Sequence, residues 1–302
     1  MNENINRTIS IKEILLAIWD QKYSVIALTT IFAVGSVMYS LSLPNIYKSE
    51  VLLAPVDQQE SLSSLSQNFS GLASLAGVNI SNSSSSRSNE GIEILQSFNL
   101  FQELLDSNDV LPDLIAIKSW NSSDNEIKYD PNLYDYEKKE WVRSVEFPLK
   151  TVPSDQEAFR YFKEIFVVNK DPKTGFIRAS IEHQSPYISK IWLKSMIELL
   201  NENFRKRDKQ SALKSIEFLN LRIASTNLSE IKLALSELIQ NQTQTLMLIE
   251  SNEEYIFKVL DPAFVPEKKL KPNRAIICVS GTVIGFIISV LLILIRVSTR
   301  KI

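Results

Sequence analysis

Two stretches of the chain, Tyr23–Leu43 and Ala275–Ile295, contain no charged side chain. Each is about 21 residues long, so as a helix it spans about 31 Å and matches a hydrocarbon core of about 30 Å. Lys22 and Pro44 bracket the first; Arg274 and Arg296 bracket the second. The apolar run of the first is too long for a cleaved signal peptide, and Ser40 and Ser42 form a weak cleavage signal, so it reads as an uncleaved anchor. Ahead of it, Ile11, Leu15, Ile18 and Trp19 recur at helical spacing. They fit either an interfacial helix lying on the membrane or a simple extension of the first span.

Between the spans the pattern changes several times. Ile46–Pro55 alternates as a strand, with Tyr47, Val51 and Leu53 on one face. A serine-rich stretch runs from Ser61 to Ser88 and encloses the small apolar segment GLASLAGV, Gly71–Val78, which predicts a short helix. Ile92, Leu95, Phe98, Leu100, Phe101 and Leu104 predict one amphipathic helix over Glu90–Leu105. Ser107–Lys150 shows no regular period. Ser154 and Glu157 form a capping box that opens a helix to about Glu164. Phe166–Asn169 and Phe176–His183 read as a hairpin around KDPKTG.

The longest regular feature starts at Ser185-Pro186, an N-cap followed by proline at the first helical position. No proline or glycine occurs from there until Pro262. Ile188, Ile191, Trp192 and Leu199, then Leu213, Ile216, Leu219 and Ile223, mark one face. Thr226-Asn227 is the plausible break, and Ile231, Leu235, Leu238, Ile239, Leu246 and Ile249 stripe a returning helix. A leg of 40 residues reaches about 60 Å, too long for a small domain to enclose. The expected architecture is an α+β membrane protein: two transmembrane helices flanking an α/β base with a long protruding helical hairpin. Its parts are a head at 1–22, spans at 23–43 and 275–295, and a large loop domain at 44–274. Within that domain, the base covers 44–184 and 254–266 and the hairpin 185–253. A short tail, 296–302, follows.

Charge sets the orientation. Arg7, Lys12 and Lys22 precede the first span, and Arg296, Arg300 and Lys301 follow the second, which puts both termini in the cytoplasm. Lys268, Lys269, Lys271 and Arg274 crowd the other end of the second span, but long loops translocate largely regardless of charge. The chain carries 33 Lys and Arg against 35 Asp and Glu, which leaves no basic excess for binding nucleic acid. A single cysteine, Cys278, and a single histidine, His183, can form neither an internal disulfide nor a typical zinc site. His183, lying before the Ser185 cap, reads as surface or turn material. Acidic pairs such as Glu253 with Glu254 arise freely among so many carboxylates, so neither catalysis nor a cofactor is expected.

At Asn241–Ile277, NQTQTLMLIESNEEYIFKVLDPAFVPEKKLKPNRAII, the chain resembles the C-terminal signature of Wzz-type chain-length determinants, the polysaccharide co-polymerases of the Gram-negative inner membrane. Pro262, Pro266 and Pro272 carry the most specific part of the likeness. The order of parts agrees along nearly the whole chain. The resemblance implies a periplasmic main domain, a homo-oligomer closed into a ring, and a place beside a Wzy-type polymerase that extends an undecaprenyl-diphosphate-linked glycan. It implies control of surface polysaccharide length, lipopolysaccharide O-antigen above all. The alternative is a capsule or exopolysaccharide component working with a separate cytoplasmic kinase. The short tail and the lack of GxxxxGK[ST] match the kinase-free type. A two-span sensor would need a signalling module after the second span. A membrane-fusion adaptor would need lipoyl-like repeats.

Several residues follow as candidates. Gly281 and Gly285 form a GxxxG that permits close helix approach to a neighbouring protomer, the first span or the polymerase. Pro262, Pro266 and Pro272 stiffen the approach to the membrane. Lys268, Lys269, Lys271 and Arg274 are suited to lipid head groups or a glycan-linked diphosphate. Ile216, Leu219, Ile223, Leu235 and Leu238 are expected to pack within the hairpin or between protomers. Arg205–Gln210, RKRDKQ, interrupts the apolar stripe and reads as a solvated face or a charged subunit contact.

Overall fold

A computed structural model describes Trp19 and residues 21–56, 83–107 and 109–300. The candidate interfacial residues Ile11, Leu15 and Ile18, the segment Gly71–Val78 and Lys301 lie outside the described residues. The elements in order are α1 (Lys22–Ser42), β1 (Tyr47–Pro55), α2 (Ser83–Leu95), α3 (Phe98–Ser107), a π-turn (Pro112–Ala116), β2 (Ile117–Asn121), β3 (Glu126–Tyr129), β4 (Tyr134–Asp135), β5 (Glu140–Trp141), α4 (Asp155–Ile165), β6 (Phe166–Lys170), β7 (Ile177–His183), α5 (Pro186–Ser225), α6 (Ser229–Ser251), β8 (Phe257–Asp261) and α7 (Arg274–Arg300). They form two units. Residues 1–45 and 269–302 make one, built on α1 packed against α7; residues 46–268 make the other.

The larger unit is organised by a four-stranded antiparallel sheet in the order β6-β7-β1-β8. β1 lies between β7, from Tyr47 opposite His183 to Leu53 opposite Ile177, and β8, from Leu52 opposite Asp261 to Pro55 opposite Phe257. Strand periodicity puts Ser49, Val51 and Leu53 on the buried face, matched by Ile177, Ala179 and Ile181 of β7. Ser49 is a polar residue inside a core, and it is satisfied: its Oγ donates to the Phe264 carbonyl at 2.8 Å. Gly175, at φ +74°, closes the β6–β7 hairpin in a conformation that disfavours side chains.

α5 lays its first half on this sheet. Ser185 Oγ accepts from the Ile188 N–H and Pro186 fills the first turn, as the sequence predicts. The buried face is Ile188, Trp192, Leu193, Met196, Ile197, Leu200 and Phe204. Ile191, expected on that stripe, is exposed; with 3.6 residues per turn it belongs to the flank. Asn201 is buried among these residues and ties α5 to the strand that returns from the hairpin. Its Oδ1 accepts from the N–H groups of Tyr255, Ile256 and Phe257, and its Nδ2 donates to the Phe257 carbonyl. α2 crosses the same place at Gly91, where an added Cβ would lie 2.8 Å from the Phe257 ring.

Three expectations need correction. The helix expected over Glu90–Leu105 is two helices, because Ser97 Oγ accepts from the Leu100 N–H and starts α3 afresh. The capping box is half made. Ser154 Oγ accepts from the Glu157 N–H, but the Glu157 carboxylate turns to Arg143 instead of the cap. His183 is buried, not surface or turn material. Its Nδ1 accepts from the Ser185 N–H and its Nε2 meets the Asp113 carbonyl, each at 3.0 Å.

The unpatterned region 107–150 folds around polar anchors and aromatic contacts. Tyr129 stacks on Tyr136 and meets Tyr134 edge-on, and Tyr134 meets Trp141 edge-on. Arg143 closes the loop that follows: Nε donates to the Thr151 carbonyl, Nη2 to the Lys150 carbonyl, and both Nη atoms to Glu157 at 2.5 and 2.7 Å. The two side chains are 5% and 4% exposed. The guanidinium holds the Glu157 carboxyl below its usual range, and Glu157 raises Arg143. This stabilisation is therefore present above the ordinary carboxylate range and is lost as pH falls through the lowered pKa of Glu157. Arg143→Met leaves a buried carboxylate unpaired and is expected to destabilise the larger unit by about 3–5 kcal/mol, read by denaturant unfolding of the detergent-solubilised chain.

Candidate functional site

The smaller unit is a close helix pair. Gly281 faces Ser36 and Gly285 faces Phe32; a Cβ at either glycine would overlap the facing side chain. The GxxxG notch of α7 is thus filled by α1 of the same chain. Lys22–Ser42 and Arg274–Arg296 are both long and apolar enough to cross a membrane, and most of their surface is exposed. A core helix of a soluble protein would bury such a surface, and the second span lies far from the N-terminus where a signal sequence would be. Asn273 Oδ1 accepts from the Ile276 N–H at the start of α7.

The basic residues fall in both units. Lys269 Nζ and Arg274 Nη2 each donate to the Asn45 Oδ1 at 3.2 Å, which gathers two cations at one end of the helix pair. Lys271 is exposed in the same unit, and Lys268 is exposed in the larger one. Of the prolines, Pro266 is buried, Pro262 exposed and Pro272 half-buried. The Ser49 contact to Phe264 pins the stretch between Pro262 and Pro266 to β1.

α5 continues beyond the core, and α6 packs back along it. Ile216, Leu219, Ile223 and Leu235 are half-buried, while Leu238 is exposed. Leu219 and Leu238 line a shallow groove of ≈ 430 Å³ with Ser211, Lys214, Phe218 and Gln242. Most of the RKRDKQ charges make pairs within the chain. Arg207 reaches Glu90 and Asp208 reaches Arg87, each at 2.5 Å, and Lys209 pairs with Glu250, so α5 is tied to α2 and α6. Tyr255 adds a hydroxyl donor to Asp208 at 2.9 Å. Even so, the hairpin leaves large apolar side chains open: Leu213, Phe218, Leu221, Leu228, Ile231, Leu233 and Met247. Leu221 and Leu233 are 66% and 68% exposed.

Among the described residues, no group of three or more His, Cys, Asp or Glu is placed to hold a metal ion. Glu254, one of the paired acids, accepts from the Val259 N–H in a structural contact.

Residues 7–116 match the family model of the Wzz chain length determinant protein, and residues 231–298 match that of a G-rich domain on putative tyrosine kinases. The chain length determinant match takes in α1 and the start of the larger unit. No curated protein sequence matches it. Among solved structures it is similar to a full-length bacterial polysaccharide co-polymerase, with 12% identity and TM-score 0.43 over 97% of this chain and 99% of that one. It is also similar to a fragment of WzzB, a polysaccharide co-polymerase from Salmonella Typhimurium, with 10% identity and TM-score 0.30 over 75% of this chain and 100% of that one. A Shigella flexneri lipopolysaccharide O-antigen chain-length regulator is similar at 10% identity and TM-score 0.24, over 74% of this chain and 99% of that one.

The helix pair offers a direct test. Gly281→Leu or Gly285→Leu must push α1 from α7. Each is expected to cost about 1–3 kcal/mol by overpacking, read as a lower melting temperature in detergent. Ile287→Leu, at an exposed position of α7, is expected to leave it unchanged.

Proposed function

We propose that this chain regulates the length of a surface polysaccharide, lipopolysaccharide O-antigen, as a non-catalytic co-polymerase assembled from copies of itself beside a Wzy-type polymerase. The observation that carries this reading is the chain length determinant match over residues 7–116. Two features of the structure support it. The paired apolar helices supply a membrane anchor, and the α5–α6 hairpin presents apolar side chains that its own fold leaves uncovered. In this reading both termini are cytoplasmic, residues 44–274 are periplasmic, and the protein sits in the bacterial inner membrane. The hairpins pack side by side into a closed ring, with Ile216, Leu219, Ile223, Leu235 and Leu238 holding each hairpin together or joining it to its neighbour. Pro262, Pro266 and Pro272 form a stiff tether. Lys268, Lys269, Lys271 and Arg274 meet anionic head groups or the diphosphate of an undecaprenyl-linked glycan.

A second reading has its own support. The match of residues 231–298 to a domain of putative tyrosine kinases favours a capsule or exopolysaccharide system with a separate kinase. Lipopolysaccharide from a deletion strain separates the two. Loss of modal banding on a gel, restored by the wild-type chain, is the O-antigen result; unchanged banding with altered capsule or exopolysaccharide is the other.

The assembly is tested at the exposed leucines. Leu221→Glu with Leu233→Glu changes side chains the fold does not bury, so the chain is expected to fold normally. In lipid nanodiscs, electron microscopy should show fewer copies per particle, and the glycan should lose its preferred length. Intact rings with an altered length distribution would refute the link between assembly and length.

A further inference from the structure

His183 is the chain's single histidine and is 6% exposed, where β7 ends and the 40-residue α5 begins. Its partners fix its protonation state. The Ser185 backbone N–H can only donate, so Nδ1, 3.0 Å away, carries no proton. The Asp113 carbonyl can only accept, so Nε2, also 3.0 Å away, carries one. The neutral ring is thereby fully satisfied, and its edge packs on Trp192 at 5.0 Å.

A second proton has no place in this arrangement. It would sit on Nδ1 and point at the Ser185 N–H, setting donor against donor in a buried site. It would also put a cation beside the N-terminus of α5, where the helix dipole opposes it. The Asp113 carbonyl on Nε2 favours the charged ring, but burial outweighs it, and no carboxylate among the described residues accepts from the ring. Tyr47 is its register partner on β1. Asp113, on the π-turn, offers its carbonyl, while its carboxylate accepts from the Tyr129 hydroxyl at 2.5 Å, with Asp109 nearby. α5 contributes Trp192, which is uncharged.

We propose that His183 is a proton-operated latch: a second proton sets Nδ1 against the Ser185 N–H, so the ring leaves its buried seat, letting go of Ser185 and with it of the Asp113 carbonyl, and frees the start of α5 from the segment that begins at the π-turn. The device sits at the root of the hairpin and does not depend on what the hairpin controls. Burial also holds the His183 pKa below its usual value. The sign follows. The latch contributes fully above the unfolded-state pKa of about 6.5, and its contribution is lost as pH falls below that. Burial raises the Asp113 pKa, so that group acts in the opposite sense, toward the more acidic carboxylate range.

The test is hydrogen exchange on the full chain in nanodiscs at pH 7.5 and 5.5, corrected for the intrinsic rate. Peptides covering 112–120 and 183–190 should open more often at the lower pH, by up to about tenfold per pH unit below about 6.5, while α1 and α7 stay unchanged. His183→Gln keeps a donor and an acceptor but cannot take up the proton, and it should show no such rise. A flat wild-type profile, or an equal rise in the variant, overturns the proposal. Should the variant fail to fold, the wild-type imidazole decides, since its carbon-13 signal has no rival in this chain. A midpoint well below 6.5 that coincides with the opening supports the latch; a midpoint near 6.5 overturns it.

Discussion

The larger unit depends on one strand being held from both sides. β1 leads the chain into this unit, and β8 is the last strand before the chain leaves it. Their antiparallel pairing, from Leu52 opposite Asp261 to Pro55 opposite Phe257, puts entry and exit side by side. β7 pairs along the other edge of β1, so β1 can shift register only by breaking two ladders. A one-residue slip would also turn Val51 and Leu53 out of the core. The Ser49 contact to Phe264 extends the same constraint past β8 into the proline stretch. Whatever force a long hairpin transmits must pass through this sheet.

The hairpin divides into two physical regimes. From Ile188 to Phe204, α5 buries an apolar face every three or four residues and is held by core packing. Beyond Phe204 the described side chains of α5 are half-buried or exposed, with Ala212 the exception; after the contacts of Arg207 and Asp208 to α2 and Tyr255, the neighbours are α6 and water. Helix propensity and a single packed partner sustain that part. The ion pairs to α2 and α6 are partly exposed, and exposed pairs contribute about 0–1 kcal/mol each. The outer hairpin therefore has little stability of its own to set its geometry. An array of copies would supply what the single chain lacks, which is why exposed Leu221 and Leu233 matter more to the functional reading than the half-buried Ile216 or Ile223.

Legibility in the sequence followed the strength of local periodicity. The two apolar helices, the Ser185-Pro186 start, the long helix and its partner, and the β6–β7 hairpin were all readable, because each is dictated by a repeating pattern or a cap. The break at Ser97 was not, since an apolar helical period continues across it and one serine hydroxyl overrides it. The sequence leaves the partner of Gly281 and Gly285 open for a different reason. A small-residue notch shows that something approaches closely but not what, and only the fold brings Ser36 and Phe32 to it. Region 107–150 stayed unreadable because its order comes from non-periodic contacts such as Arg143 with Glu157 and Tyr129 with Asp113.

Three buried polar side chains share a property that explains where they occur. Asn201, Arg143 and His183 each hold backbone atoms: the Tyr255–Phe257 strand, the Lys150 and Thr151 carbonyls (with Arg143 also paired to Glu157), and the Ser185 and Asp113 backbone. Each stands at a junction between elements that no continuous ladder joins. An apolar side chain there would exclude water but leave those backbone groups buried and unpaired, at a cost of about 1–3 kcal/mol each. Replacing any of the three by a hydrophobe of similar volume therefore loses more than a contact. It unseats the backbone segment the side chain was holding. At these three junctions buried polar chemistry serves to fasten one backbone segment to another.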